Sequence, residues 1–168
     1  MEKVIEILNK LKENSGKRLQ EILEENKDNS LLKDVLYFVY NPYIVTGLST
    51  KKMSKEVPFQ TKYKPAKNIY EVFDYLVEHN TGTDIDIAYV LEFISLQKDE
   101  NKYIYEQIFT KELKLGITSK TINKVWNNFI PEFNVMLAEK YWDRIEELEK
   151  DKPTIIITQK LDRYKSCS

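Results

Sequence analysis

Thiol and imidazole are nearly missing from these 168 residues, which hold one cysteine, Cys167, and one histidine, His79. A lone cysteine has no partner within the chain. That excludes an internal disulfide and fits a reducing, cytoplasmic setting. A lone histidine excludes a histidine-rich metal centre, because such sites need several converging donors. His79 falls at the end of a helical pattern and reads as a solvated helix-end residue, so no metal site is expected. Long apolar runs are missing too. The opening Met1-Glu2-Lys3-Val4-Ile5-Glu6 alternates charge with hydrophobe, and neither a secretion signal nor a membrane span is expected. The formal net charge is only −1, so overall charge makes no case for a nucleic-acid partner.

What is present is an ordinary apolar fraction, 42%, beside a high charged fraction, 32%, the composition of a soluble globular chain long enough for its own core. The charge is unevenly placed. Lys51, Lys52, Lys55, Lys62, Lys64 and Lys67 face the single acid Glu56; then Glu71, Asp74, Glu78, Asp84, Asp86 and Glu92 precede the next lysine, Lys98. This asymmetry allows one basic face suited to phosphates, although solvated loop charge explains any single lysine run as well.

Helical periodicity dominates the pattern. Val4, Ile7, Leu8 and Leu11 form one stripe ended by Ser15-Gly16; Leu19, Ile22 and Leu23 form a second; Leu31, Leu32, Val35, Leu36 and Val39 form a third. Asn29 or Ser30 supplies the N-cap of the third and Asn41-Pro42 its stop. From Pro42 to Lys67 the period is lost among Pro42, Gly47, Pro58 and Pro65, which predicts a long extended connection with a functional reason for its length. Helix resumes with Ile69, Val72, Phe73, Leu76 and Val77. Thr83 caps a further helix carrying Asp84 and Asp86 in its first turn. Another runs through Tyr103, Ile104 and Ile108 up to Lys114-Leu115-Gly116, and Thr118 or Ser119 caps a last one burying Ile122, Val125 and Trp126. Beyond Asn128 an extended apolar linker and a short charged helix around Trp142 are expected. Thr154-Ile155-Ile156-Ile157-Thr158 follows, a β-branched run that reads as one strand without a partner. The expected fold is thus all-α and multi-helical over residues 1–130, then a linker and short helix over 131–152, then a single strand opening 153–168.

Two segments carry chemistry. In the first, Gly116 frees the backbone for positive φ or for close approach, and a capped helix starts two residues later. Lys111, Lys114, Lys120 and Lys124 surround that start, and with Thr118, Ser119 and Thr121 they form a candidate phosphate cradle. The plain alternative is a routine helix connection with Gly116 as C-cap. In the second, Thr158-Gln159-Lys160-Leu161-Asp162 places a lysine at the end of a strand. Burial there lowers an ammonium pKa and frees a nucleophilic amine able to attack a nucleoside triphosphate, with a divalent metal offsetting phosphate charge. By spacing alone a Lys-x-Asp is a weak signal, and a surface lysine is the commoner explanation.

Read together and in order, these segments resemble the ATP-dependent DNA ligases of tailed phages. The resemblance is carried by Leu31-Leu32-Lys33, Val35-Leu36-Tyr37, Tyr40-Asn41-Pro42-Tyr43, Thr81-Gly82-Thr83-Asp84 and Leu113-Lys114-Leu115-Gly116-Ile117-Thr118. It continues through Lys120-Thr121-Ile122-Asn123-Lys124-Val125 and Ile130-Pro131-Glu132-Phe133-Asn134-Val135-Met136-Leu137-Ala138 to Gln159-Lys160-Leu161-Asp162. It implies that residues 1–130 are a helical domain gripping duplex or nicked DNA, and that 153–168 open a nucleotidyltransferase domain. It also implies Lys160 as the adenylate acceptor, with Thr158, Gln159, Asp162 and Lys165 beside the nucleotide. Arg163 and Lys165 stand where the family pattern has glycine and arginine, which puts bulk beside the nucleotide and removes a planar fork.

ATP and Mg2+ are the implied cofactors of a complete enzyme. Because the family's other nucleotide and metal motifs lie further on, neither is expected to bind stably to these residues alone. A monomer, encoded by a phage or prophage and unable to ligate by itself, is the expectation. A different class of function is a helical interaction module that binds a host or phage protein, which the acidic stretch from Glu71 to Glu92 allows. A third is a decayed remnant that aggregates through its orphan strand.

Overall fold

A computed structural model describes residues 1–55 and 64–131. By contact pattern the chain divides into two units, Met1–Phe133 and Asn134–Ser168, and only the first contains described residues. The expected linker, short helix and strand between 132 and 168 therefore lie outside the described residues, as do Pro58 and Lys62.

Among the described residues the fold is all helix: α1 Glu2–Glu13, α2 Lys17–Glu25, α3 Ser30–Tyr40, α4 Thr50–Met53, α5 Ile69–Glu78, α6 Asp84–Ser95, α7 Asp99–Phe109 and α8 Ser119–Val125. None of these is long and apolar enough to cross a membrane. The apolar stripes legible in the sequence become the buried faces. Leu8 and Leu11 of α1, Leu23 of α2, Leu32 and Leu36 of α3, Leu76 of α5, Ile108 and Phe109 of α7 and Ile122 of α8 are fully buried. Residues at i, i+3, i+4 and i+7 share one side of a 3.6-residue helix, so each helix has one face to bury, and pairing those faces closes the core. In this way α2 packs on α1 and α8, and α7 packs on α3 and α6. The middle of the core is aromatic. Phe38 stacks on Phe73 at 4.0 Å between ring centroids, while Phe109 meets Phe73 and Phe93 edge-on at 6.1 and 5.9 Å. Both arrangements suit the ring quadrupole.

Side-chain caps start α3, α6 and α8 where the sequence places them, and Asn68 supplies one for α5 that the pattern did not announce. The side chains of Asn29, Asn68 and Thr118 accept the N–H of Leu32, Glu71 and Thr121, each satisfying a first-turn donor that no helical carbonyl can reach. Thr83 does more: it forms a reciprocal capping box with Asp86, whose carboxylate accepts the Thr83 N–H at 2.7 Å. Asp86 is thereby buried, at 3% exposure, a role beyond the dipole-favouring first-turn acid of the sequence reading. His79 is the C-cap of α5 and half-buried, its ring stacked on Tyr75 at 4.2 Å and its Nδ1 3.1 Å from the Tyr75 carbonyl oxygen. It is a helix-end residue, as its position suggests, but a packed one.

Two elements differ from expectation. The connection after Pro42 is not uniformly extended: Ser49 caps the single turn α4, which buries Met53. Four residues are too few to show a period, and the flanking Pro42 and Gly47 hide the turn. Conversely, α7 stops at Phe109, well short of Gly116. Lys111 takes the left-handed conformation (φ 59°), its N–H bonds to the Ile108 carbonyl, and the Glu112 N–H bonds to the Gln107 carbonyl. This is a Schellman ending with lysine at the position glycine usually holds.

A lysine-flanked loop cluster at one end of the bundle

After its left-handed residue the chain is non-helical through 112–118, with a bend at Gly116 (φ 69°), and burial alternates: Leu113, Leu115 and Ile117 are buried while Glu112, Lys114, Gly116 and Thr118 are exposed. A period of two is what an extended backbone imposes. It was present in the sequence as Leu113-Lys114-Leu115-Gly116-Ile117, where it can be mistaken for the tail of a helix. Gly116 has φ 69°, and a Cβ there would meet only Leu19 Cδ1 at 3.6 Å, an ordinary contact. Of the two reasons a glycine was expected, positive φ applies and backbone crowding does not. The C-cap alternative for Gly116 is replaced by Lys111, which closes α7 itself.

The candidate phosphate residues separate into two groups. Lys114, Thr118, Lys120 and Lys124 are exposed, and Ser119 and Thr121 are half-exposed; Lys120 and Lys124, four apart, share one side of α8. Thr118 Oγ1 accepts the Thr121 N–H and its carbonyl accepts the Ile122 N–H. The Ser119 and Lys120 N–H groups have no partner among the described residues. Helix α8 has only seven residues, so its dipole is weak, and charge on this surface comes from the three lysines. Lys111 belongs elsewhere. Its ammonium turns inward and donates to the carbonyls of Asn41 at 2.6 Å and Ile44 at 2.5 Å. Burial pushes its pKa below the ordinary lysine value.

Those bonds tie the 111–118 segment to the end of α3, where the negative end of the helix dipole also favours a cation. A further tie reinforces the join. Glu112 accepts from the Thr50 hydroxyl at 2.5 Å, at the start of α4. Tyr40, at the same end of α3, is half-buried, and burial pushes its hydroxyl up to about 12, so the phenol stays neutral at any physiological pH. A second lysine continues the chain of ties: Lys52 Nζ donates to the Gly47 carbonyl at 2.7 Å and to the Thr81 and Gly82 carbonyls at 3.3 Å. Three connections far apart in sequence, 41–55, 79–83 and 110–118, thus meet at one end of the helices, each with a left-handed glycine: Gly47, Gly82 and Gly116.

Elsewhere, the acidic stretch is partly committed to structure. Glu71 accepts from Asn68 and from the Lys67 N–H, and Asp86 from Tyr75 and Thr83. The nucleotide-step residues Thr158, Gln159, Lys160, Asp162 and Lys165 lie outside the described residues. Two groups missed by sequence reasoning close the far side of α8. Asn123 exchanges two hydrogen bonds with the Ile130 backbone, at 2.9 and 2.7 Å, and Trp126 Nε1 donates to the Lys27 carbonyl at 3.1 Å. An asparagine amide imitates a backbone unit, but its spacing does not announce this.

Comparison with known proteins gives one relationship. Over 146 residues, 82% of this chain, it is 30% identical to the DNA ligase of Enterobacteria phage T4 and, to the same extent, to that of Enterobacteria phage T6. The chain spans 29% of the length of each. No protein-family model matches it.

Proposed function

We propose that this DNA-ligase-related chain grips duplex DNA, nicked or intact, through the outward face of residues 114–124. The observation that carries the reading is the set of exposed Lys114, Lys120 and Lys124 beside the open Ser119 and Lys120 amides, on a backbone turned by Gly116. Lysines and main-chain N–H groups are the donors that fix a protein on a sugar–phosphate backbone. They read no bases, so binding is salt-sensitive and nearly independent of sequence. Relationship to proteins that the comparisons name as DNA ligases supports DNA as the polyanion.

On this reading residues 1–130 are the DNA-binding part of an ATP-dependent ligase that seals nicks. Lys160 is the adenylate acceptor, using ATP and Mg2+, and the 168 residues on their own do not complete sealing. Fluorescence anisotropy with labelled nicked and intact duplexes tests the first part: weak binding that falls steeply with salt is expected, and Lys114→Glu/Lys120→Glu/Lys124→Glu abolishes it. An unchanged titration for that variant would remove the reading. Labelled ATP with magnesium tests the second part; a covalent adenylate on Lys160 would show that the acceptor already works in this chain, against the proposal that these residues are inactive alone.

The acidic interaction-module reading has less behind it, since Asp86 is a buried cap and the exposed Glu71 is engaged by the Lys67 N–H and Asn68.

A further inference from the structure

The 111–118 segment carries two kinds of lysine three residues apart. Lys114 faces solvent, whereas Lys111 occupies a left-handed backbone position that disfavours any side chain and sends its ammonium into the carbonyls of Asn41 and Ile44. A lysine tolerated at a glycine position, with its charge directed inward, is explained by what the charge holds together. It joins the start of the lysine-bearing segment to the buried end of α3. From there Thr50–Glu112 carries the join to α4, and Lys52 carries it to the 79–83 connection. With both its bonds made to internal carbonyls, Lys111 does not point at a phosphate.

We infer that Lys111 is a positioning residue: its two carbonyl bonds hold the Lys114–Lys120 segment in the geometry that meets the DNA backbone, without Lys111 touching the DNA. The inference rests on the proposed DNA contact and refines it, because it removes one lysine from the contact set and gives it a different task. The physical distinction is sharp. A lysine that neutralises a phosphate releases a counterion, so its loss flattens the dependence of log K on log salt by about 0.9. A lysine that only orders the contacting segment lowers affinity at every salt concentration and leaves that slope alone.

The experiment is a salt series of anisotropy titrations on the 168-residue chain with a nicked duplex, comparing wild type, Lys111→Met and Lys114→Met. Hydrogen exchange at residues 41–50 and 111–118 is followed in the same proteins without DNA. For Lys111→Met the expected result is weaker binding at wild-type slope, with faster exchange in both segments. For Lys114→Met it is a flatter slope and unchanged exchange. A flatter slope for Lys111→Met would make it a phosphate contact and overturn the inference, as would unaltered affinity or unaltered exchange. Should Lys111→Met not fold, Glu112→Ala removes both the Thr50 hydroxyl and main-chain bonds of the same segment and is judged by the same two readouts. Absence of DNA binding by the wild type would instead defeat the proposed function, and the exchange comparison would still decide whether Lys111 couples the two segments.

Discussion

The Tyr75 hydroxyl donates to Asp86 Oδ1 at 2.9 Å, joining α5 to the first turn of α6 through a carboxylate that is itself half of a capping box. The other oxygen accepts from the Thr83 N–H and hydroxyl, and from Thr81 at 3.4 Å. Burial by itself raises the Asp86 pKa. The hydrogen bonds from Thr83, Tyr75 and Thr81 outweigh it and hold the carboxyl below the usual aspartate range.

A carboxylate whose pKa is lower folded than unfolded contributes stability that is present above the unfolded value and is lost as pH falls through the folded one. Denaturant titrations are therefore expected to show a wild-type loss of stability below about pH 4 that is shallower in Asp86→Asn. At neutral pH, Asp86→Ala is expected to cost roughly 2–4 kcal/mol, from a lost cap plus the lost hydrogen bond of a buried carboxylate to Tyr75. Equal acid slopes in wild type and Asp86→Asn would mean that Asp86 is not the group responsible.

Gly47 and Gly82 make a second prediction, because they pass each other backbone to backbone. A Cβ on Gly47 would overlap the Asn80–Gly82 main chain, and one on Gly82 would overlap the Gly47 carbonyl and sit 2.8 Å from Lys52 Nζ. Gly16 has a similar φ, 62°, but nothing within 4 Å of its missing Cβ. Gly16→Ala thus carries only the strain of its glycine-favouring φ 62°, ψ −134° conformation, roughly 1–3 kcal/mol. Gly47→Ala and Gly82→Ala add overpacking, for roughly 2–4 kcal/mol each. Chemical denaturation of the three variants measures the difference, and three equal values would contradict the close approach.

Lys111→Gly separates conformation from charge at the end of α7. Glycine relieves about 1 kcal/mol of left-handed strain. The ammonium bonds to Asn41 and Ile44 are worth roughly 1.5–3 kcal/mol each as charged hydrogen bonds. Net destabilisation is expected, and a variant more stable than wild type would show that the clamp contributes little.

Asn123→Ala removes both bonds to the Ile130 backbone and leaves its N–H and carbonyl without those partners. A loss of roughly 2–3 kcal/mol is expected for two such groups near a buried residue. It should be confined to the end of α8, so hydrogen exchange at 123–131 is predicted to rise while that of α5 and α6 does not. A uniform rise across all helices would point to global unfolding instead.

Periodicity, caps and stops along this chain were enough to place seven of the eight described helices and most of the core. A helix with one apolar face declares itself every three or four residues, and Asn29, Thr83 and Thr118 declare their caps by type. The single turn α4 was illegible because four residues contain no period, and the end of α7 was misplaced because a lysine holds the position where glycine is the usual signal. What tertiary structure alone decided is which lysines are free. Lys111 and Lys114 are the same residue type three positions apart, yet one faces solvent and the other meets carbonyls roughly seventy residues earlier in the chain. Side-chain direction there follows from a left-handed φ and an alternating strand-like backbone, and the partners come from α3. No local pattern encodes a carbonyl that arrives from another element, so the division between contact and clamp exists only once the chain has folded.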